Sequence, residues 1–423
     1  MWGFITVLVD SLIPRLREVF ELSFFQAGLV QFAFFMAYGL FSIPSGFILS
    51  KIGYKKGILL GLSIMGIGCL LFYPAASLRL FPLFLLGYFV LAGGMTVLQV
   101  AANPYVAVLG SEETASSRLN LSQAFNSLGT AIAPAVGAMF LLSDSIKSSE
   151  HINNLQPAEK EAYLVGEASA VQNPFLFLAV SLLLLALIVS FIKLPNILKK
   201  KEGFGYGKAL KHKVLKMGAI GIFVYVGAEV AIGSYLVNYF LDMNLADIIK
   251  STEWLANISE SIIQQDLSSV DNKAIVAAFV IFYWTGAMAG RFIGAYLTKI
   301  IEPAKVLAIF ATMAISLLAI SMLTNGLVAM FSILLVGLFN SIMFPTIFTL
   351  SLNGLGEYKP QASGILCTAI VGGAVIPPLY GFFTDQFDFK PALILMVLCY
   401  FYIFYFARKS NSLIKTDIIL NKT

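Results

Sequence analysis

Long uncharged apolar runs leave this chain one way to fold. Residues 22–50, 57–78, 80–111, 119–143 and 173–192 contain no Asp, Glu, Lys or Arg, and 217–241 contains a single acid, Glu229. Further runs cover 274–290, 361–384 and 391–407. Residues 306–356 are too long for one crossing, and Thr324-Asn325-Gly326 is a turn signal that divides them. A helix rises about 1.5 Å per residue, so about 20 apolar residues cross a hydrocarbon core of roughly 30 Å. With an opening segment at 2–14, the runs predict an all-α membrane protein of twelve transmembrane helices. The opening segment is short for a crossing, so the start of the first helix is expected upstream of this sequence.

Composition supplies the exclusions. The chain is 58% apolar and 12% charged, whereas soluble domains average about 45–50% and about 25%. Too few polar side chains exist to clothe soluble domains, which excludes a soluble enzyme, a nucleic-acid binder and a disordered chain. Cys69, Cys367 and Cys399 lie inside apolar runs without metal spacing, so no disulfide framework, metal site or cofactor is expected.

Charge between the runs sets orientation. Residues 193–216 carry eight lysines (Lys193, Lys199, Lys200, Lys201, Lys208, Lys211, Lys213 and Lys216) against one acid, Glu202. Lys51, Lys55 and Lys56 follow the second of the twelve helices, counting the opening segment as the first. The stretches after the fifth and seventh helices are acidic, with Asp144, Glu150, Glu159, Glu161 and Glu167 in one and Asp242, Asp247, Glu253, Glu260, Asp266 and Asp271 in the other. Lysine and arginine stay on the cytoplasmic side, so both termini are expected there.

The basic segment divides the chain into 1–192, a linker at 193–216, 217–407 and a tail at 408–423. Features recur across the linker. Asp10 precedes Pro14 by four residues and Glu229 precedes Gly233 by four; Gln99 precedes Pro104 by five and Asn340 precedes Pro345 by five. Pro134-Ala-Val-Gly137 has its counterpart in Pro378-Leu-Tyr-Gly381. The joint offset predicts two parallel six-helix repeats with a substrate site between them.

Polar groups at membrane depth are costly unless they face a partner or a wet cavity. Gln99 and Asn103 are four apart, and Gln123, Asn126 and Thr130 fall at i, i+3 and i+7, so each set shares a helix face. Such amides either bond neighbouring helices or, together with Asn238 and Asn340, recognise hydroxyls, since amides both donate and accept. Phe34, Tyr38, Tyr235, Tyr239 and Trp284 offer apolar faces to a sugar ring or serve packing. Asp10 and Glu229 are expected to carry a coupling proton; an acceptor for a substrate hydroxyl is the other reading of Glu229. A carboxylate with helix-break carbonyls also suits sodium, which stays open beside the proton. No Gly-rich Lys-Ser/Thr nucleotide loop occurs, which favours a gradient-driven carrier over an ATP-driven pump.

Ala101-Ala-Asn-Pro-Tyr-Val-Ala-Val-Leu-Gly110 and Arg118-Leu-Asn-Leu-Ser-Gln-Ala-Phe-Asn-Ser-Leu-Gly129 resemble the fucose–galactose–glucose:proton symporters of the major facilitator superfamily. Trp2-Gly-Phe, Asp10-Ser-Leu-Ile-Pro14, Leu29-Val-Gln-Phe-Ala-Phe-Phe, Gly290-Arg-Phe-Ile-Gly294, Pro345-Thr-Ile-Phe and Ile370-Val-Gly-Gly-Ala-Val-Ile-Pro377 extend the resemblance over nearly the whole chain. It implies two six-helix bundles, alternating access and proton-coupled uptake of a hexose. Asp10 matches the family's proton-carrying aspartate, and Gln123 and Asn126 match residues lining the sugar site of fucose carriers. Those carriers have glutamate where this chain has Gln99, glutamine where it has Glu229, and asparagines where it has Val7 and Val9. Gln99 with Glu229 resembles the glucose/galactose branch; L-fucose and N-acetylglucosamine are the alternative substrates.

Gly46, Lys51, Gly53, Lys55, Lys56 and Arg291 are expected at a cytoplasmic gate, although Ser50 occupies the position where the superfamily signature has an acid. The expected partners are a small sugar and the bilayer, with no nucleic acid, for a monomer. A drug efflux antiporter and a non-transporting sugar sensor are the competing classes. The polar cluster argues against the first, and the short tail at 408–423 against the second.

Overall fold

The computed structural model describes residues 3–7, 24–141, 156–197 and 205–420, and it is helical nearly throughout. After helical residues 3–7 come α1 (Phe24–Ile52), α2 (Tyr54–Ser77), α3 (Phe81–Val108), α4 (Ala115–Leu141) and α5 (Pro157–Phe191). Then follow α6 (Lys213–Asp242), α7 (Val280–Ile300), α8 (Pro303–Leu323), the consecutive α9 (Gly326–Asn340) and α10 (Met343–Leu352), α11 (Lys359–Thr368), α12 (Gly372–Phe387) and α13 (Ile394–Leu420). Among the described residues, ten helical stretches are long and apolar enough to cross a membrane. The more polar α4 adds a helix of spanning length, and most of the opening segment, Asp10 included, lies outside the described residues.

The outer surface is what lipid requires. Leu323 is 85% exposed, Phe191 78% and Phe177 68%. An apolar surface of this kind is stable against hydrocarbon and not against water. The chain is therefore a multi-pass integral membrane protein.

Two stretches read as loops are helical. α5 begins at Pro157 with Glu159 in its first turn, so acids placed outside the span ride an extension of it. The acidic stretch after α6 folds into Leu245–Ser251, Glu253–Ile263 and Asn272–Ala278. Hydropathy marks only the part of a helix that lies in lipid, while proline at the first turn and good helix formers beyond it let the helix start earlier.

Contacts sort the chain into two compact units. The first comprises Met1–Val108, Phe125–Ala209 and Leu355–Thr368; the second comprises Leu109–Ala124, Leu210–Gly354 and Ala369–Thr423. One boundary, after Ala209, falls within 193–216, and α4 changes unit after Ala124.

In the first unit α2 and α3 approach until their backbones nearly touch. A Cβ on Gly61 would lie 2.7 Å from the Leu98 nitrogen, and one on Gly94 2.5 Å from the Met65 nitrogen. Small residues permit this approach, which is how membrane helices gain contact without a hydrophobic driving force. Beside them Phe72 stacks on Phe175 at 3.9 Å and meets Phe84 edge-on at 4.7 Å. α11 packs on α1 and α3, with the Ser363 hydroxyl donating to the Val100 carbonyl at 2.8 Å.

The second unit uses the same device between α7 and α9. Gly286, Gly290 and Gly294 recur every four residues on α7, and a Cβ on Gly290 would lie 2.5 Å from the Ser341 hydroxyl. Gly337 on α9 packs against the Tyr283 carbonyl. This close crossing fixes the heights of Tyr283 and Arg291, whose side chains matter below.

Candidate functional site

Glu229 sits within α6 and Arg291 within α7. Arg291 Nη2 stands 3.9 Å from Glu229 Oε1, and each side chain is 15% exposed. A direct N–H···O bond needs about 2.7–3.2 Å, so the charges attract without bonding. Arg291 Nε donates to the Ser341 carbonyl at 3.2 Å, and Nη1 to the Gln123 carbonyl at 3.4 Å. Arg291, expected with the gate residues, thus lies inside a span. An arginine at the centre of a membrane helix costs about 2.5–3.5 kcal/mol on insertion scales, and here a carboxylate and two carbonyls offset that cost.

Behind the pair, Asn340 Nδ2 donates to the Tyr283 hydroxyl at 2.6 Å, and that hydroxyl donates to the Glu229 main-chain carbonyl at 3.4 Å. Tyr225, one turn before Glu229, faces the carboxylate, and Tyr400 on α13 faces the Asn340 amide. The hydroxyls of Tyr225, Tyr400 and Ser341 and the Asn340 Oδ1 are all buried. Asn340 is fully buried, and through Tyr283 it is linked to the Glu229 main chain.

In the first unit Gln99 Nε2 donates to the Tyr38 hydroxyl at 2.5 Å. Tyr38 is 2% and Gln99 9% exposed, and Asn103, one turn further along α3, is 1% exposed. The Phe34 ring lies 5.2 Å from Tyr38. Asn126 Oδ1 accepts the Gly3 N–H at 2.8 Å, so this amide ties the start of the chain to α4. Thr130, on the same face, donates to the Ser127 carbonyl.

The other residues expected at a gate lie at or near the joint of α1 and α2. Gly53 joins α1 to α2 at φ +83°, a conformation L side chains rarely adopt. A Cβ on Gly46 would meet the Tyr206 hydroxyl at 2.7 Å and the Pro360 carbonyl at 2.8 Å. That hydroxyl donates to the Ile43 carbonyl, and burial raises its pKa above the usual tyrosine value. Lys55 donates to the Ser190 carbonyl at 2.7 Å, and Lys51 lies 4.2 Å over the Phe47 ring, whereas Lys56 is exposed.

Other expected residues stand apart. Asn238 is exposed and lies about half a turn out of phase with Glu229 on α6. Trp284 is 47% exposed and its ring lies against Gly233. Tyr235 meets Tyr380 edge-on at 5.1 Å, and Tyr239 is buried with its hydroxyl 3.1 Å from the Ser321 carbonyl. Sequence reading missed Tyr225, Tyr283, Ser341 and Tyr400. A usable signal existed for Tyr225, which precedes Glu229 by one helical repeat of four. Also missed were the hydroxyl contacts of the start of α4, Ser116 with Thr349 at 2.5 Å and Asn120 with Thr346 at 3.2 Å.

Spans that hold a partly exposed ion pair, phenols and amides are what a polytopic membrane carrier of polar solutes requires. The sequence pattern of the Major Facilitator Superfamily matches residues 2–369, and the chain belongs to that family, whose members are transporters and not enzymes. It is 46% identical over 409 residues to the glucose/galactose transporter of Brucella abortus biovar 1, covering 96% of this chain and 90% of that one. It is 33% identical over 422 residues to the L-fucose-proton symporter of Escherichia coli K12, covering 96% and 90%. The crystal structure of the E. coli fucose:proton symporter FucP superposes with a TM-score of 0.83 at 31% identity, covering 97% of this chain and 95% of that one. The resemblance read from the Asn-Pro-Tyr block therefore holds, on a major facilitator fold.

Proposed function

We propose that this protein imports a hexose of the glucose/galactose type together with a proton, by alternating exposure of one site to the two sides of a bacterial inner membrane. The observation that carries the reading is the partly exposed Glu229–Arg291 pair, set within two spans and backed by phenols and an amide. Carboxylate, guanidinium and carboxamide together donate to and accept from sugar hydroxyls, which a broad apolar drug site has no use for. Similarity to proteins named glucose/galactose transporters supports the substrate class, and Gln99 with Glu229 favours that branch over L-fucose or N-acetylglucosamine.

Asp10 is the proposed proton carrier, with the proton rather than sodium as coupling ion and no other cofactor. A membrane potential supplies about 2.3 kcal/mol per charge per 100 mV. At about 1.4 kcal/mol per decade, one proton sustains roughly fiftyfold accumulation of a neutral sugar. The lysines of 193–216 and of the Lys51–Lys56 corner face the cytoplasm, as do both termini, and the working unit is a monomer.

The test is uptake of labelled hexoses into proteoliposomes under an imposed pH gradient, with galactose, L-fucose and N-acetylglucosamine as competitors of glucose. Gradient-dependent accumulation of glucose or galactose is expected. Asp10→Asn abolishes accumulation while counterflow exchange persists. No gradient-dependent accumulation of any hexose refutes the proposal, and accumulation driven by sodium alone replaces the coupling ion.

A further inference from the structure

A phenol from the linker is set against the backbone of α1. Tyr206 begins the short helix Tyr206–Ala209, and its hydroxyl donates to the Ile43 carbonyl while the Phe47 main chain bonds the same oxygen. Phe47 follows Ile43 by four, so these are the two groups that an α-helix pairs with each other. The hydroxyl therefore comes and goes without stranding a main-chain group, because α1 closes its own bond when the phenol leaves.

The same oxygen lies at the crossing of α1 with α11. A Cβ on Gly46 of α1 would meet it at 2.7 Å, and one on Gly364 of α11 would lie 2.7 Å from the Ser42 carbonyl and 3.3 Å from the Tyr206 hydroxyl. Gly205, at φ +64°, turns the linker so that a Cβ there would stand 3.0 Å from the Gln361 amide. At the other end of the short helix Ala209 is fully buried, so both ends of the segment are seated. α11 belongs to the second half of the sequence, and α12 after it groups with the second unit, yet α11 packs in the first. The lysines of 193–216 place this crossing at the cytoplasmic end. In a carrier that exposes its site alternately, a helix of one half seated on the other parts from it when that end opens.

We propose that residues 205–209 are a releasable strap: with the Tyr206 hydroxyl fastened to α1, they hold the α1–α11 crossing shut, and their release is a step in opening the cytoplasmic end. This rests on the alternating-access reading and adds a part of the linker that sets how often that end opens.

Cys367 reports the crossing from within. It lies on α11 one turn beyond Gly364, beside Tyr38 of α1, and is fully buried, as is Cys69 on α2. The experiment is alkylation of the purified, sugar-free protein by N-ethylmaleimide, each cysteine being followed by peptide mass spectrometry, in the wild type and in Tyr206→Phe, which keeps the ring and loses the hydroxyl. A buried thiol reacts in proportion to the time its surroundings are open. Loss of one hydrogen bond predicts that Cys367 reacts about two- to tenfold faster in the variant while Cys69 is unchanged. Trypsin gives a second readout, since the exposed Lys208 beside Tyr206 should be cut faster once the strap is off. An unchanged Cys367 rate, an equal rise at Cys69, or cleavage at Lys208 that keeps the wild-type rate overturns the strap. No sugar enters the assay, so a failed strap leaves hexose transport standing, and failed hexose uptake is a separate outcome.

Discussion

The Gln99–Tyr38 bond separates structural from functional cost more cleanly than any other contact in the first unit. Its 2.5 Å length joins two side chains that are at most 9% exposed. Tyr38→Phe removes the acceptor and strands the Gln99 N–H, at about 1–3 kcal/mol. Replacing both partners by apolar groups of similar shape, as in Tyr38→Phe with Gln99→Leu, removes the stranded donor and is close to neutral for stability. Thermal unfolding in detergent should therefore show Tyr38→Phe destabilised and the double variant largely recovered. Transport should not recover. If the Gln99 amide faces sugar, the same 1–3 kcal/mol appears as an increase of about 5- to 150-fold in the half-saturating hexose concentration, in the double variant, which lacks the amide. A double variant with wild-type stability and wild-type half-saturation would show that Gln99 only bonds helices, and would remove it from the sugar site.

Gly290→Val pushes a side chain into the Leu338 carbonyl and the Ser341 hydroxyl, so a loss of about 1–3 kcal/mol is expected together with reduced uptake, read by thermal unfolding and hexose flux. Gly166, helical with open space where a Cβ would go, is the control; Gly166→Ala should gain about 0.5–1 kcal/mol and leave flux unchanged. Asn126→Ala removes the acceptor of the Gly3 N–H and should lower stability by about 0.5–1.5 kcal/mol. Gln123→Ala keeps the main-chain carbonyl that Arg291 uses, so its effect should fall on the half-saturating hexose concentration; normal values in both variants would make these amides packing groups.

The spans were legible because lipid demands about 20 apolar residues and little else produces such runs. The turn at Asn325 and Gly326, the latter at φ +61°, was legible for the same local reason. Arg291 was not. A charge at the end of the apolar run 274–290 reads as the end of a span, whereas α7 runs on to Ile300 and Arg291 meets Glu229 and two main-chain carbonyls from other parts of the chain. Asn340 was found as a polar residue at membrane depth, but its burial behind Tyr283 depends on the α7–α9 crossing. Helical phase placed Tyr225 beside Glu229 in principle, yet a tyrosine in an apolar run gives no sign of whether its hydroxyl or its ring matters. Long-range pairing, rather than any local propensity, decided each of these cases.

The account turns on sugar and proton moving together. The direct measurement is the pH outside lightly buffered, de-energised proteoliposomes when glucose or galactose is added. The account predicts a sugar-dependent external alkalinisation, abolished by a protonophore and absent in Asp10→Asn. Hexose entry at the wild-type rate with no change in external pH would contradict it.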